Sequence, residues 1–244
     1  MKPPNLFLRA LNRLGHRHGI SVAPRTGATL PRRPGQTAAE TFDAIHEVNH
    51  WGSSESLSGP GSDVERAARY VEQMLALMKA RGFTSMFDAP CGDLNWMSGA
   101  IDRGGFRYQG GDISRHAVAA ARQRRPDLAI DLFDIRTDPF PDADVWQCRD
   151  CFLHLSFDDI WQALENFSRS RIRYALISTF TARYLRNIDI ETGSSRYLDL
   201  ERPPLSFRKP EASLKDRAYP GAFPRFVGLW PREEIVRVVA ERRR

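Results

Sequence analysis

The chain of 244 residues is poor in cysteine (three), poor in lysine (four against 32 arginines) and free of long uncharged apolar runs. An odd, small number of thiols in a chain this long excludes a disulfide-stapled secreted fold and points to a reducing compartment. No stretch approaches the ~18 apolar residues of a membrane span. No apolar segment of about 7–15 residues follows the basic start, so a secretory signal is excluded as well. The expected location is cytoplasmic. Acids are missing from the first 39 residues: Lys2, Arg9, Arg13, Arg17, Arg25, Arg32 and Arg33 all precede Glu40, and they leave the rest of the chain at −1 of the net +6. A near-neutral body makes nucleic-acid binding by the whole surface an unfavoured reading. The head, where Leu6, Leu11 and Leu14 alternate with arginines, fits a solvated leader, a grip on phosphates or an anionic membrane, or a transit peptide.

With 41% hydrophobic residues and 17 glycines the chain as a whole is globular in composition. Pro24, Pro31 and Pro34 with Gly27 and Gly35 mark residues 21–36 as linker. A short helix is expected over Ala38–Val48, then a small-residue loop, Ser53–Ser62, and a longer helix carrying Val64, Ala67, Ala68, Val71, Leu75 and Met78 at helical spacing up to Gly82. Strands are expected at Ser85–Asp88, Arg107–Asp112, Ala129–Phe133, Ala143–Cys148 and Tyr174–Thr179, with helices over 93–100, 114–124 and 157–168 between them. Such alternation implies a mostly parallel sheet covered on both faces. Residues 181–226 break the pattern; a strand is expected there around Tyr197–Leu200, then a last strand over Phe226–Trp230 and a last helix over Glu233–Arg242.

Asp88, Asp112 and Asp134 follow three consecutive strand candidates at intervals of 24 and 22 residues. Ligands of open parallel sheets bind outside the strand carboxyl ends, so three acids in register point to one shared ligand, although strand-end aspartates also cap helices and begin turns. A carboxylate can accept both hydroxyls of a ribose, and the turn Ala89-Pro90-Cys91-Gly92-Asp93 offers backbone for close approach.

The run Phe87-Asp88-Ala89-Pro90-Cys91-Gly92-Asp93-Leu94-Asn95-Trp96-Met97 resembles the first cofactor motif of class I S-adenosylmethionine-dependent methyltransferases, in the DAPCGD-x-x-WM form of a bacterial subgroup. Trp51-Gly52, Ser58 to Ser62, Gly111-Asp112-Ile113 and Cys148 to Ser156 extend the resemblance, which runs from about Phe42 to Trp230. Where the generic motif has three alternate glycines, this chain has Pro90, Gly92 and Leu94; G-x-G-x-x-G is absent, against a dinucleotide enzyme. The resemblance implies a Rossmann-like methyltransferase fold: a mostly parallel seven-stranded sheet with helices on both faces, divided into a basic leader (1–36), an N-terminal helical cap (37–82) and a methyltransferase domain (83–244). It further implies S-adenosylmethionine as cofactor. Asp88, Ala89, Cys91 and Gly92 would contact it near its amino-acid end and Asp112 its ribose. Ile113 would pack on the adenine face, Asp134 and Ile135 would meet the adenine edge, and Cys148 and Arg149 would lie beneath its methionine portion.

The expected reaction is methyl transfer to a small-molecule or glycan hydroxyl, which calls for a base. Asp150 and His154 follow the fourth strand and share a face if that segment is helical; His154 suits a base near neutral pH. Trp51, Asp189 and Tyr197 are the candidate acceptor residues, and Trp96 and Trp146 are further rings for stacking. Cys91, Cys148, Cys151 and His154 form a donor set that zinc accepts, but Cys91 lies apart from any paired knuckle and no metal is expected. Two other functions stay open: a nucleic-acid methyltransferase that uses the basic leader, and a non-catalytic cofactor-binding scaffold.

Overall fold

The computed structural model describes residues 35–183, 185–217 and 223–243. The basic head and its leucines, through residue 34, lie outside the described residues. Helix α1 (Ala38–Glu47) begins at a capping box: the Thr37 hydroxyl accepts the Glu40 amide, and the Glu40 carboxylate takes the Thr37 amide. Helix α2 (Val64–Arg81) ends on Gly82, whose φ of 63° is the left-handed stop. Then follow β1 (Ser85–Asp88), α3 (Met97–Gly104), β2 (Arg107–Asp112), α4 (Arg115–Arg124), β3 (Ala129–Leu132), β4 (Val145–Cys148), α5 (Phe157–Ser168), β5 (Tyr174–Phe180), β6 (Ala212–Asp216), β7 (Arg225–Pro231) and α6 (Arg232–Arg242). Short 3-10 turns occupy Pro60–Ser62 and Phe152–His154.

The seven strands are ordered β3-β2-β1-β4-β5-β7-β6. Neighbours from β3 to β5 run parallel, whereas β7 is antiparallel to both β5 and β6. The sheet is therefore mixed. The short connection between β6 and β7 accounts for this, since a parallel pair needs a crossover of a dozen or more residues and a hairpin does not. Strands β1 and β4 are buried along their whole length, because helices cover both faces. On one face Trp146, Phe152, Phe167 and Trp230 pack together. On the other, Tyr70 and Met74 of α2 and Met97 of α3 pack on Met86 and Leu229. Each such side chain contributes about 1.5–3 kcal/mol by burial. Helix α2 is thus one of the covering helices of the sheet.

Two local expectations are corrected. The helix expected over 93–100 starts at Met97, because Leu94 takes a left-handed φ of 57° and breaks any helix there. No strand forms at Tyr197–Leu200. That run is buried against the end of β5, with the Phe180 amide donating to the Leu198 carbonyl at 2.8 Å, but it joins no ladder. The edge strand is β6 instead.

Strand β1 lies between β2 and β4, so strand order reverses beside it and a crevice opens at the carboxyl ends.

Candidate active site

A cavity lies in the crevice, and the residues around it come from the turns after β1 to β4 together with the segments before α2 and after β5. The Asp112 carboxylate ties two of these turns. One oxygen accepts the Gly92 amide and the other the Ser114 amide, both at 2.9 Å. Gly92 has a φ of 59°, and a Cβ there would collide with the Ser58 hydroxyl. The loop carrying Ser58 is fastened to the β1 turn by Asp93, which accepts the Ser56 hydroxyl at 2.8 Å and the Leu57 amide at 3.0 Å. Gly59, Pro60 and Gly61 thereby line the cavity.

Asp88 lies only 2% exposed and accepts the Tyr108 hydroxyl at 2.8 Å. Burial pushes its carboxyl up to about 7, against the pull of Gln147 and Tyr108. The unfolded carboxyl ionises near 3.8, so between these values the fold holds a proton that the unfolded chain has lost. Its contribution to stability is fully present below 3.8 and is lost as pH rises through about 7. Asp88→Asn should remove that slope. Melting temperatures at about pH 5 and about pH 8 check this; a variant with the wild-type slope would assign the effect elsewhere.

Asp134 lies beyond the end of β3, and Arg136 clasps its carboxylate at 2.6 Å while also binding Asp159 at 2.6 Å. Asp134, Ile113, Phe133 and Ile135 line the cavity. After β4, Arg149 binds Asp216 at 2.9 Å and the Gly61 carbonyl at 2.9 Å, with its guanidinium against the adjoining rings of Tyr70 and Trp96. Arg225 binds Asp150 at 2.8 Å and Asp216 at 3.0 Å. Two arginines and two aspartates thus neutralise one another at the cavity wall. Burial raises the Asp150 carboxyl, but Arg225 and Arg149 outweigh it and hold the group below its ordinary value. Removing one partner strands a buried charge. Arg225→Ala should therefore lower stability by about 3–5 kcal/mol, read by denaturant unfolding; a loss below ~1 kcal/mol would mean that solvent already screens the cluster.

His154 lines the same cavity. Its Nδ1 lies 2.8 Å from the Ser194 carbonyl, which can only accept, so the neutral ring carries its proton on Nδ1 and leaves Nε2 as the acceptor. Burial holds the ring below the usual histidine value. The Trp51 ring lies 5.3 Å from it at 38°, and His46 meets Trp51 edge-on at 5.3 Å. Tyr197 joins the lining, its hydroxyl pushed up to about 12 by burial.

Of the residues singled out in the sequence, Asp88, Cys91, Gly92, Asp112, Ile113, Asp134, Ile135, Arg149, Asp150, His154, Trp51 and Tyr197 line this cavity. Three do not. Ala89 is buried, bonded to Gln147 and Trp146 of β4, and Cys148 is packed in the core. Asp189 lies outside the cavity with its side chain 59% exposed, in a neighbouring depression, where it accepts the Phe157 amide. Asp150 and His154 share no helical face, because Asp150 has a left-handed φ of 55° and only Phe152–His154 forms a turn of helix. Among the described residues no group of three or more His, Cys, Asp or Glu is placed to hold a metal ion; the three thiols are free. The sequence reading missed His46, Arg196 and Arg225. None of the three falls within a motif quoted above.

No protein-family model and no curated protein matches the chain. Solved structures do. A protein of the conversion of a disulfide bond into a thioacetal group during echinomycin biosynthesis matches with a TM-score of 0.54 at 14% identity, over 85% of this chain and 99% of that one. Human N-acetylserotonin methyltransferase, solved with S-adenosylmethionine, matches with 0.51 at 13%, over 79% of this chain and 56% of that one. The methyltransferase domain of bacterial CtHen1-CN matches with 0.51 at 13%, over 68% and 99%. The chain spans 65% of the related CtHen1-C domain. At these identities the likeness is one of architecture: this chain is similar in fold to S-adenosylmethionine-dependent methyltransferases.

Proposed function

We propose that the chain is a cytoplasmic S-adenosylmethionine-dependent methyltransferase acting on a hydroxyl of a small molecule or saccharide. The observation that carries the reading is the gathering of Asp88, Asp112 and Asp134 around one cavity with a histidine whose Nε2 is the accepting nitrogen. The fold likeness to an enzyme solved with that cofactor supports it.

The residues fit an adenosyl group with an amino-acid tail. Each Asp112 oxygen accepts one backbone amide and retains capacity for a ribose hydroxyl. Ile113, Phe133 and Ile135 offer an apolar wall to a flat base. Gly61 and Gly92 leave room where a Cβ would meet Asp150 or Ser58. Asp88 suits the tail's ammonium. When bound, the cofactor supplies an activated methyl group. The chain's part is to hold the acceptor in line, which is worth about 7–11 kcal/mol of barrier, and to receive its hydroxyl proton at His154 Nε2. Asp150, kept ionised by two arginines, is a poor base; its charge favours the imidazolium that His154 becomes. Trp51 and Tyr197 flank the acceptor.

Calorimetry with S-adenosylmethionine and S-adenosylhomocysteine, followed by extract screening with labelled methyl groups, tests the reading. Binding of both together with a labelled product supports it. Absence of binding overturns it, and tight binding without product from any fraction favours the scaffold alternative. The nucleic-acid alternative rests on a head that lies outside the described residues.

A further inference from the structure

Four arginines line the cavity among the described residues. Arg136, Arg149 and Arg225 each hold a carboxylate within 3.0 Å. Arg196 does not. Its side chain is 1% exposed, and the nearest carboxylate, Asp189, is 3.9 Å away and itself turned largely to solvent. Nε and Nη1 meet no protein acceptor, and Nη2 reaches the Phe152 carbonyl only at 3.4 Å. The guanidinium lies 4.7 Å from the Phe157 ring, and burial draws its pKa down to about 10.

A guanidinium has five donors in a fork that matches planar oxyanions. Arg149 and Arg225, buried to a similar depth, each have a carboxylate within 3.0 Å, and a buried charge without such a partner is expensive. Arg196 is also joined to the proposed base. Its amide donates to the Leu153 carbonyl at 3.1 Å, and Ser194, two residues before it, holds the His154 ring. Ser195 and Tyr197 on either side line the cavity as well.

Building on the methyltransferase reading, we infer that the acceptor carries an oxyanion, a carboxylate or a phosphoryl group, that pairs with Arg196 and so holds the acceptor's hydroxyl beside His154.

The test uses the full chain saturated with S-adenosylhomocysteine, and four probes sharing one ring: benzoate against benzamide, and phenyl phosphate against phenol. Calorimetry should give at least about a tenfold preference for the anion in one pair, which identifies the source of the oxyanion. Arg196→Gln should erase that preference and Arg196→Lys retain part of it, both with wild-type affinity for S-adenosylhomocysteine. Lack of discrimination in both pairs overturns the inference, as does a preference that survives in Arg196→Gln. A loss of S-adenosylhomocysteine affinity in the variants also overturns it, since Arg196 would then serve the cofactor's own carboxylate. Should Arg196→Gln fail to fold, the wild-type pairs and Arg196→Lys decide. Titrating the probes without S-adenosylhomocysteine keeps the two readings separable: failure of the nucleoside alone strikes the methyltransferase reading, whereas nucleoside binding without anion preference strikes only this inference.

Discussion

His154→Ala is expected to lower turnover by about 10²–10⁴-fold while leaving cofactor affinity nearly unchanged. The size follows from what the residue contributes to a hydroxyl acceptor. A proton must leave as the new bond forms, and the ring is held for that purpose by the Ser194 carbonyl at 2.8 Å, with Nε2 as acceptor. Burial holds the ring below 6.5, so it stays neutral at pH 7. The acid limb of kcat should therefore fall below 6.5, with turnover declining as pH drops through the lowered value and the ring becomes charged. Steady-state kinetics on the purified variant, with S-adenosylhomocysteine calorimetry alongside, separate kcat from binding. Intact turnover would remove His154 from the reaction.

Asp112→Ala is expected to weaken cofactor binding by at least tenfold. A charge-assisted hydrogen bond is worth about 1.5–3 kcal/mol, and here the lost group also anchors the Gly92 and Ser114 amides, hence the turns after β1 and β2. Ribose contact and turn geometry therefore fail together in the alanine variant. Asp112→Asn retains an acceptor and should lose less, which separates the two contributions. Calorimetry measures the affinities and thermal melting confirms that both variants are folded. An affinity equal to wild type in Asp112→Ala would leave the ribose without its assigned partner.

The parts of the fold that could be read from the sequence are those where local pattern and tertiary environment agree. Met86, Phe87, Val145, Trp146 and residues 175–177 form short apolar runs because their strands are covered on both faces. Asp88 stood out because a carboxylate abruptly ends such a run, and Asp112 because it ends the next strand candidate 24 residues on. Strand β6 was hidden for the opposite reason. Ala212-Ser213-Leu214-Lys215-Asp216 has one large apolar residue, and it is held by pairing with β7 and by the ion pairs of Asp216. Tyr197–Leu200 is apolar enough to look like a strand, yet its backbone bond from Phe180 to Leu198 is not continued into a ladder. Ala89 and Cys148 were swept into the site by adjacency to residues that belong there; their own side chains point to packing. Arg196 and His46 reach the cavity only through the course of the chain in space, which no local spacing encodes.

The arginine–aspartate cluster spans sequence separations of 67 residues for Arg149 with Asp216 and 75 for Arg225 with Asp150. Two of the four residues of this cluster, Asp216 and Arg225, are consequently supplied by β6 and β7. Without those two residues Arg149 would keep only Asp150, 3.6 Å away, as its acidic partner. The charged wall after β4 therefore depends on β6 and β7 being added to the sheet, whereas the ties of Asp112 to the turns after β1 and β2 do not.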